Sequence, residues 1–253
     1  MFPKELFMPL RNLQELHLSR TMSMSMPDWL SNLAKLRNFS YTLNHLDEIP
    51  SFSTWTSNIE ELHLEDNDIH QIYRKELEDL GSLQKLFLCR NSIELIKNGT
   101  FNLLRKLSYL SLDGNRLGRV GYHSFLSNSI LFMNLSNTGL FLEQYSSSSP
   151  LNFNNSMSSL DLSGTNLNTH LLNGFVKCYE ALRNLNVNQN NLDILTPETF
   201  QYLTSLEELL AANNSLSQIS DSFLPSKLWR QMKTLDLSGN PLTCDCKFIE
   251  FCQ

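Results

Sequence analysis

The residues best equipped for chemistry in this 253-residue chain are six histidines, five cysteines and its carboxylates. The densest group sits between 59 and 69, where His63 stands among Glu60, Glu61, Glu65 and Asp66. A histidine in an acidic setting takes up a proton near endosomal pH. An exposed histidine with no switching role has the same sequence signature. Phe87, Tyr109, Leu131 and Phe132 follow at regular intervals. Apolar groups gathered in water-facing positions mark interaction sites. Packing of the same aromatics on one another across strands is the plainer alternative. Near the end, Cys244-Asp245-Cys246 presents two thiols, but no set of His and Cys surrounds them to complete a zinc site. The sequence contains no H-E-x-x-H, G-x-S-x-G, glycine-rich phosphate loop or C-x-x-C pair. Recognition is expected; catalysis, a metal and a cofactor are not.

A spacing rule places these groups. A large apolar residue recurs at relative positions 1, 4, 6 and usually 11, with Asn or a substitute at 9. Clear copies are IEELHLEDNDI (59–69), LQKLFLCRNSI (83–93), LSYLSLDGNRL (107–117) and LRNLNVNQNNL (182–192). Ten repeats start at Leu13, Leu36, Ile59, Leu83, Leu107, Ile130, Met157, Leu182, Leu206 and Met232. Their spacing, 23 to 27 residues, is that of a leucine-rich repeat solenoid. The expected fold is an α/β solenoid: a horseshoe with a parallel β-sheet on its concave face and an irregular, short-helical convex side. The spacing makes residues 1–242 the array, and 243–253, with Cys244-Asp245-Cys246, resemble the start of the cysteine-rich C-terminal cap of extracellular leucine-rich repeat proteins.

Within each repeat, positions 3 to 5 predict a short strand whose residues 4 and 6 enter the core. Positions 2, 3, 5, 7 and 8 are expected to face water. The chain turns at position 9, where a side-chain amide both donates to and accepts from buried backbone. Seven of the ten position-9 residues are Asn, and Thr21, Thr138 and Thr165 predict weaker rungs. An aromatic or Leu about six residues before the next repeat (Phe7, Leu30, Leu77, Phe101, Phe125, Phe175, Phe200) predicts an apolar spine. By this register Glu61, Tyr109 and Phe132 share one concave column and His63 and Phe87 another, while Leu131 stands at position 2. These six residues are the candidate ligand-binding set: an acidic rim beside an aromatic centre, suited to a partner with basic and apolar groups. His17 and His63, two repeats and roughly 10 Å apart, are too distant to share a metal. Asp161 and Asp236, three repeats apart, cannot act as a catalytic pair.

The net charge of −6 does not carry a general nucleic-acid footprint. No stretch of about 18 apolar residues exists, and the first residues lack the long apolar core of a signal peptide. Phe7 already occupies a spine position with no capping pattern before it, which predicts a fragment of a longer protein.

The repeat form, shown plainly by TPETFQYLTSLEELLAANNSL (196–216), is the typical extracellular class. Together with the long repeats and LDLSGNPLTCDCKFIEFCQ (235–253), it resembles part of a Toll-like receptor ectodomain. The resemblance covers essentially the whole chain. It implies a non-catalytic, glycosylated innate immune receptor in the extracellular space or endosomal lumen. Such a receptor binds a protein or microbial ligand through its concave or lateral surface and dimerises. It reaches the membrane only through a helix absent from this chain. Adhesion and matrix leucine-rich repeat proteins share these motifs, so protein–protein binding of that kind is the alternative. The resemblance also implies that Cys244 and Cys246 belong to a disulfide-bonded cap, whose usual distant partners do not follow.

Cys89 and Cys178 lie three repeats apart, roughly 15 Å, beyond the reach of about 7 Å that a disulfide needs. Both are expected unpaired, Cys89 partly exposed and Cys178 in packing. The sequons Asn38, Asn98, Asn134, Asn154 and Asn213 are candidate glycosylation sites. Asn134 falls mid-strand, where a glycan would block the concave face. The segment 141–156, with Ser146 to Ser149 before Pro150, reads as an inserted loop, either solvent-filling or a ligand or processing loop.

Overall fold

In the computed structural model, residues 4–50, 52, 58–121, 124–125, 129–139, 156–219 and 223–243 are described. Strands run in chain order as β1 (Glu15–Ser19), β2 (Asn38–Thr42), β3 (Glu61–His63), β4 (Gln71–Ile72), β5 (Lys85–Phe87), β6 (Leu95–Ile96), β7 (Tyr109–Ser111) and β8 (Arg119–Val120). They continue as β9 (Phe132–Asn134), β10 (Ser159–Asp161), β11 (Asn184–Asn186), β12 (Ile194–Leu195), β13 (Glu208–Leu210), β14 (Gln218–Ile219) and β15 (Thr234–Asp236). Ten of them, one per repeat, form a single sheet in the order β1-β2-β3-β5-β7-β9-β10-β11-β13-β15. Every pairing is parallel and in register, so Glu61 lies opposite Lys85 and Leu62 opposite Leu86. The fold is the expected leucine-rich repeat solenoid.

Period-2 alternation divides each strand between core and water. Leu62, Leu86, Leu110 and Leu185 at position 4 are buried, as are the position-1 residues from Leu36 to Leu206. The seven spine residues expected from sequence are buried too. Phe101 stacks on Phe125 with ring centroids 5.1 Å apart. The spine includes two members that fixed spacing missed, Phe52 and Phe223, because their repeats place the ring seven and nine residues before the next start. Beyond the asparagine turn, β4-β6-β8 and β12-β14 make small parallel sheets that the sequence did not announce.

The turn is the most regular element. The position-8 residue has φ between +51° and +68° in all ten repeats. Only Gly114, Gly164 and Gly239 are glycines at that position; Arg20, Leu43, Asp66, Arg90, Asn137, Gln189 and Asn213 adopt the left-handed backbone despite its steric cost. The following Asn holds the turn. Asn91 Nδ2 donates to Leu64 O (2.9 Å) in the previous repeat and Leu88 O (3.1 Å) in its own. Its Oδ1 accepts from Ile69 N at 3.1 Å. Asn67, Asn115, Asn190, Asn214 and Asn240 repeat the pattern. Thr138 donates to the carbonyl three residues back, Leu135 O, and Thr165 to Leu162 O with a longer contact of 3.3 Å to Asn190 Oδ1. Among the described residues neither hydroxyl is seen to donate to a carbonyl of the previous repeat, so the rungs there are thinner, as expected.

Two expectations fail. Positions 5 and 7 do not always face water: Ser40, Ser111, Ser136 and Ala212 are buried. Their side chains are small, and larger neighbours close over them. Cys89 at position 7 is also buried, at 7% exposure, and is a free thiol. The side chain of Cys178 lies outside the described residues, as do segment 141–155, Asn154, Cys244 and Cys246.

Candidate recognition surface

Four adjacent strands, β3, β5, β7 and β9, bring four rings together on the concave face. His63 and Phe87 are register partners at position 5; Tyr109 and Phe132 are register partners at position 3. A diagonal contact joins the two pairs, with Phe87 and Tyr109 centroids 4.9 Å apart. Tyr109 and Phe132 centroids are 6.3 Å apart. These are offset and tilted geometries that aromatic pairs prefer. Each ring covers part of the next, so His63, Phe87 and Tyr109 are half-buried while Phe132 stays 45% exposed. Leu131, at position 2 beside it, is 39% exposed. The result is a continuous apolar ladder with its open end at Leu131 and Phe132.

A charged network closes the other end. Lys85 Nζ lies 3.1 Å from Glu61 Oε2. Glu61 Oε1 is 2.9 Å from His63 Nε2, and Glu65 Oε1 is 2.8 Å from His63 Nδ1. Both ring nitrogens therefore face carboxylate oxygens. A neutral imidazole has one N–H and serves only one of them; the imidazolium serves both. Burial lowers the His63 pKa, but the hydrogen bonds and charges of Glu65 and Glu61 outweigh it and leave the value raised. Burial raises Glu61, yet His63 and Lys85 carry it below its ordinary value. The second oxygen of Glu65, Oε2, is buried without a hydrogen-bond partner among the described residues.

Charge is distributed unevenly over this face. Concave positions 3, 5 and 7 carry seven carboxylates, Glu15, Glu61, Glu65, Asp113, Asp161, Glu208 and Asp236, against one lysine, Lys85, and two histidines, His17 and His63, which face Glu15, Glu61 and Glu65. Four are held by neutral donors: Asp113 by the Ser111 hydroxyl, Asp161 by Ser163 and the Asn186 amide, Glu208 by the Asn184 amide, and Asp236 by Ser238 N. The Ser238 N–H keeps Asp236 below the usual carboxylate range. Other acids of the array pair with arginine or lysine: Arg37 with Glu60, Arg90 bidentate with Asp66, and Arg183 and Lys233 with Glu207.

The sequons differ in setting. Asn98 and Asn213 are exposed, while Asn38 and Asn134 are half-buried on concave strands. Asn134 Oδ1 accepts from Ser136 N at 2.9 Å. On the other side of the turn, Lys97 and Lys75 each place their ammonium over the Tyr73 ring, at 4.6 and 5.3 Å from its centroid. Sequence reasoning missed that cluster, because it depends on the small sheet that sets residue 97 beside residue 73. Among the described residues no three His, Cys, Asp or Glu side chains gather in a metal-holding group. No described helix is long and apolar enough to cross a membrane.

Residues 57–117 match the family described as leucine rich repeat. A transforming growth factor beta activator of Danio rerio is 27% identical over 166 residues, covering 65% of this chain and 24% of that protein. Toll-like receptor 2 type-1 of Gallus gallus is 27% identical over 172 residues, covering 67% of this chain and 20% of the receptor. A leucine-rich repeat protein of Leptospira interrogans has the same fold, with a TM-score of 0.69 and 24% identity over 99% of this chain and 66% of that one. The match spans about a quarter or less of the length of these two curated relatives. The similarity is to extracellular-type leucine-rich repeat proteins.

Proposed function

We propose that this chain is part of the ligand-recognition ectodomain of a Toll-like innate immune receptor. It is non-catalytic and binds a protein or microbial ligand through the face that carries Glu61, His63, Phe87, Tyr109, Leu131 and Phe132. The receptor dimerises, works in the extracellular space or endosomal lumen, and is anchored by a membrane helix outside this chain. The observation that carries the reading is the ring ladder itself. Burying aromatics in the core would follow from folding; lining four on the outer side of the sheet does not, and partly exposed aromatic clusters serve as binding anchors. Similarity to Toll-like receptor 2 type-1 supports the receptor assignment.

A second reading is an extracellular adhesion or matrix protein that binds another protein outside innate immunity. The similarity to a transforming growth factor beta activator favours it. Sequencing the transcript past the codon for Gln253 separates the two. The receptor reading expects a full cysteine-rich cap, a membrane helix and a cytoplasmic TIR domain. Immunoglobulin or fibronectin modules in their place would overturn it in favour of the second reading.

A further inference from the structure

Resting on that reading of the concave face, we infer that the partner docked there is a cationic protein segment carrying an apolar side chain, and not a polyanion. The ladder supplies an apolar seat whose open end, Leu131 and Phe132, is exposed. Four strands at roughly 5 Å spacing make it about 15 Å long, the length of about five residues of extended chain.

Charge then selects among occupants. Asp113 stands beside the ladder, at position 7 of the repeat whose strand carries Tyr109, and Asp161 stands at position 5 two strands further on. Neither forms a salt bridge among the described residues, and nor do Glu208 and Asp236 further along the sheet. Asp113 feels Arg90 only at longer range, Arg90 being bonded to Asp66, and all four are held by amide, hydroxyl or backbone donors. Hydrogen bonds from neutral donors orient a carboxylate and leave its charge uncompensated. Most rows of acids on a folded surface are simply solvated. This row flanks an apolar seat, and the basic groups nearest it on the concave face, Lys85 and His63, are themselves committed to Glu61 and Glu65. The negative potential over the seat attracts Lys and Arg and repels phosphate or sulfate groups. The partner's basic groups meet Asp113 and Asp161 while its apolar group covers Phe87, Tyr109 and Phe132.

The test is selection from a random 12-residue peptide library displayed on phage, panned on the full chain. Selected peptides are then measured on the full chain and on a Phe87→Ser/Tyr109→Ser variant checked for folding by circular dichroism. The expected winners carry net positive charge and at least one aromatic or large aliphatic residue. Their Kd rises on the order of thirtyfold on the variant and rises on going from 50 to 200 mM salt. A Phe132→Ser variant, which removes the most exposed ring, gives the same direction where the double variant does not fold. Neutral or acidic winners whose binding is lost on the variants would refute the cationic partner and leave the concave site standing. Winners that bind wild type and variants alike, or a library that yields none, would remove the site as well. Binding of a 20-nucleotide single-stranded RNA that the substitutions abolish would also overturn the inference.

Discussion

His63 lies flat against Phe87, with ring centroids 4.2 Å apart and planes 6° from parallel. The stack fixes the imidazole plane, and with it the two ring nitrogens aimed at Glu61 and Glu65. One residue is therefore both the last ring of the apolar ladder and the hub of the charged network. Ser40, its register partner on β2, brings no charge; Lys85 on β5 reaches it through Glu61.

This geometry makes stability depend on pH. The folded pKa of His63 is raised above the unfolded value of about 6.5. Its contribution is complete below that value and disappears as pH rises through the folded one. Glu61 has the opposite sign: its lowered folded pKa contributes above about 4.3 and is lost as pH falls through the folded value. The network is strongest in the window between. Thermal midpoints of wild type and His63→Gln, measured from about pH 5 to pH 9, are expected to differ most at the acid end and converge in base. A gap that does not change with pH would contradict the doubly bonded imidazolium.

The asparagine ladder predicts unequal costs at equivalent positions. Asn115 Nδ2 donates to Leu88 O and Leu112 O, and its Oδ1 accepts from Ile93 N. Asn115→Ala leaves these buried groups unpaired and is expected to cost about 3 kcal/mol. Thr165→Ala removes the donation to Leu162 O and a longer one to Asn190 Oδ1, which keeps its backbone donors, and costs about 1 kcal/mol. Urea denaturation of both variants checks the order; equal losses would mean that the ladder does not hold the turns.

Leu43 is an unlikely residue for its place. It is 44% exposed and holds φ at +56°. Asn tolerates the left-handed region better than Leu, so Leu43→Asn is expected to stabilise by about 0.5 to 1 kcal/mol. A lower unfolding midpoint would show that the leucine side chain has a contact worth more than the strain.

Cys89 is expected to be unreactive. Burial pushes its thiol up to about 11, and Asp113, Glu65 and Asp66 add to the rise against Arg90. The thiolate is the reactive form. Peptide mapping after alkylation at pH 8 is expected to find Cys89 unmodified in the native protein and fully modified in denaturant. Rapid native labelling would place the side chain in water.

The solenoid was legible because burial repeats with the chain. Leu62, Leu86 and Leu110 occupy one register position in three successive repeats, and only a stacked coil hides all three. The site was legible as a set of columns but not as a ladder. Position numbers put Phe87 and Tyr109 in different columns; the diagonal contact depends on side-chain direction, which spacing does not encode. The left-handed residue at position 8 was invisible because Arg20, Leu43 and Gln189 are not residues that favour it. There the backbone is dictated by the position-9 residue that follows (Asn44 and Asn190, or Thr21 bonded to Asn44 Oδ1) and by the neighbouring coil. Cys89 was misjudged for a related reason: a small side chain between larger neighbours is buried whatever its position number says.

The central claim is that recognition takes place on the ringed concave face. Photo-crosslinking reads this most directly. A benzoyl-phenylalanine replaces Phe132, or in a second protein Asn98 on the far side of the turn, in the full-length protein displayed on cells with its partner bound. Adducts from position 132 and none from position 98 are predicted. Adducts from position 98 with none from position 132 would contradict the account.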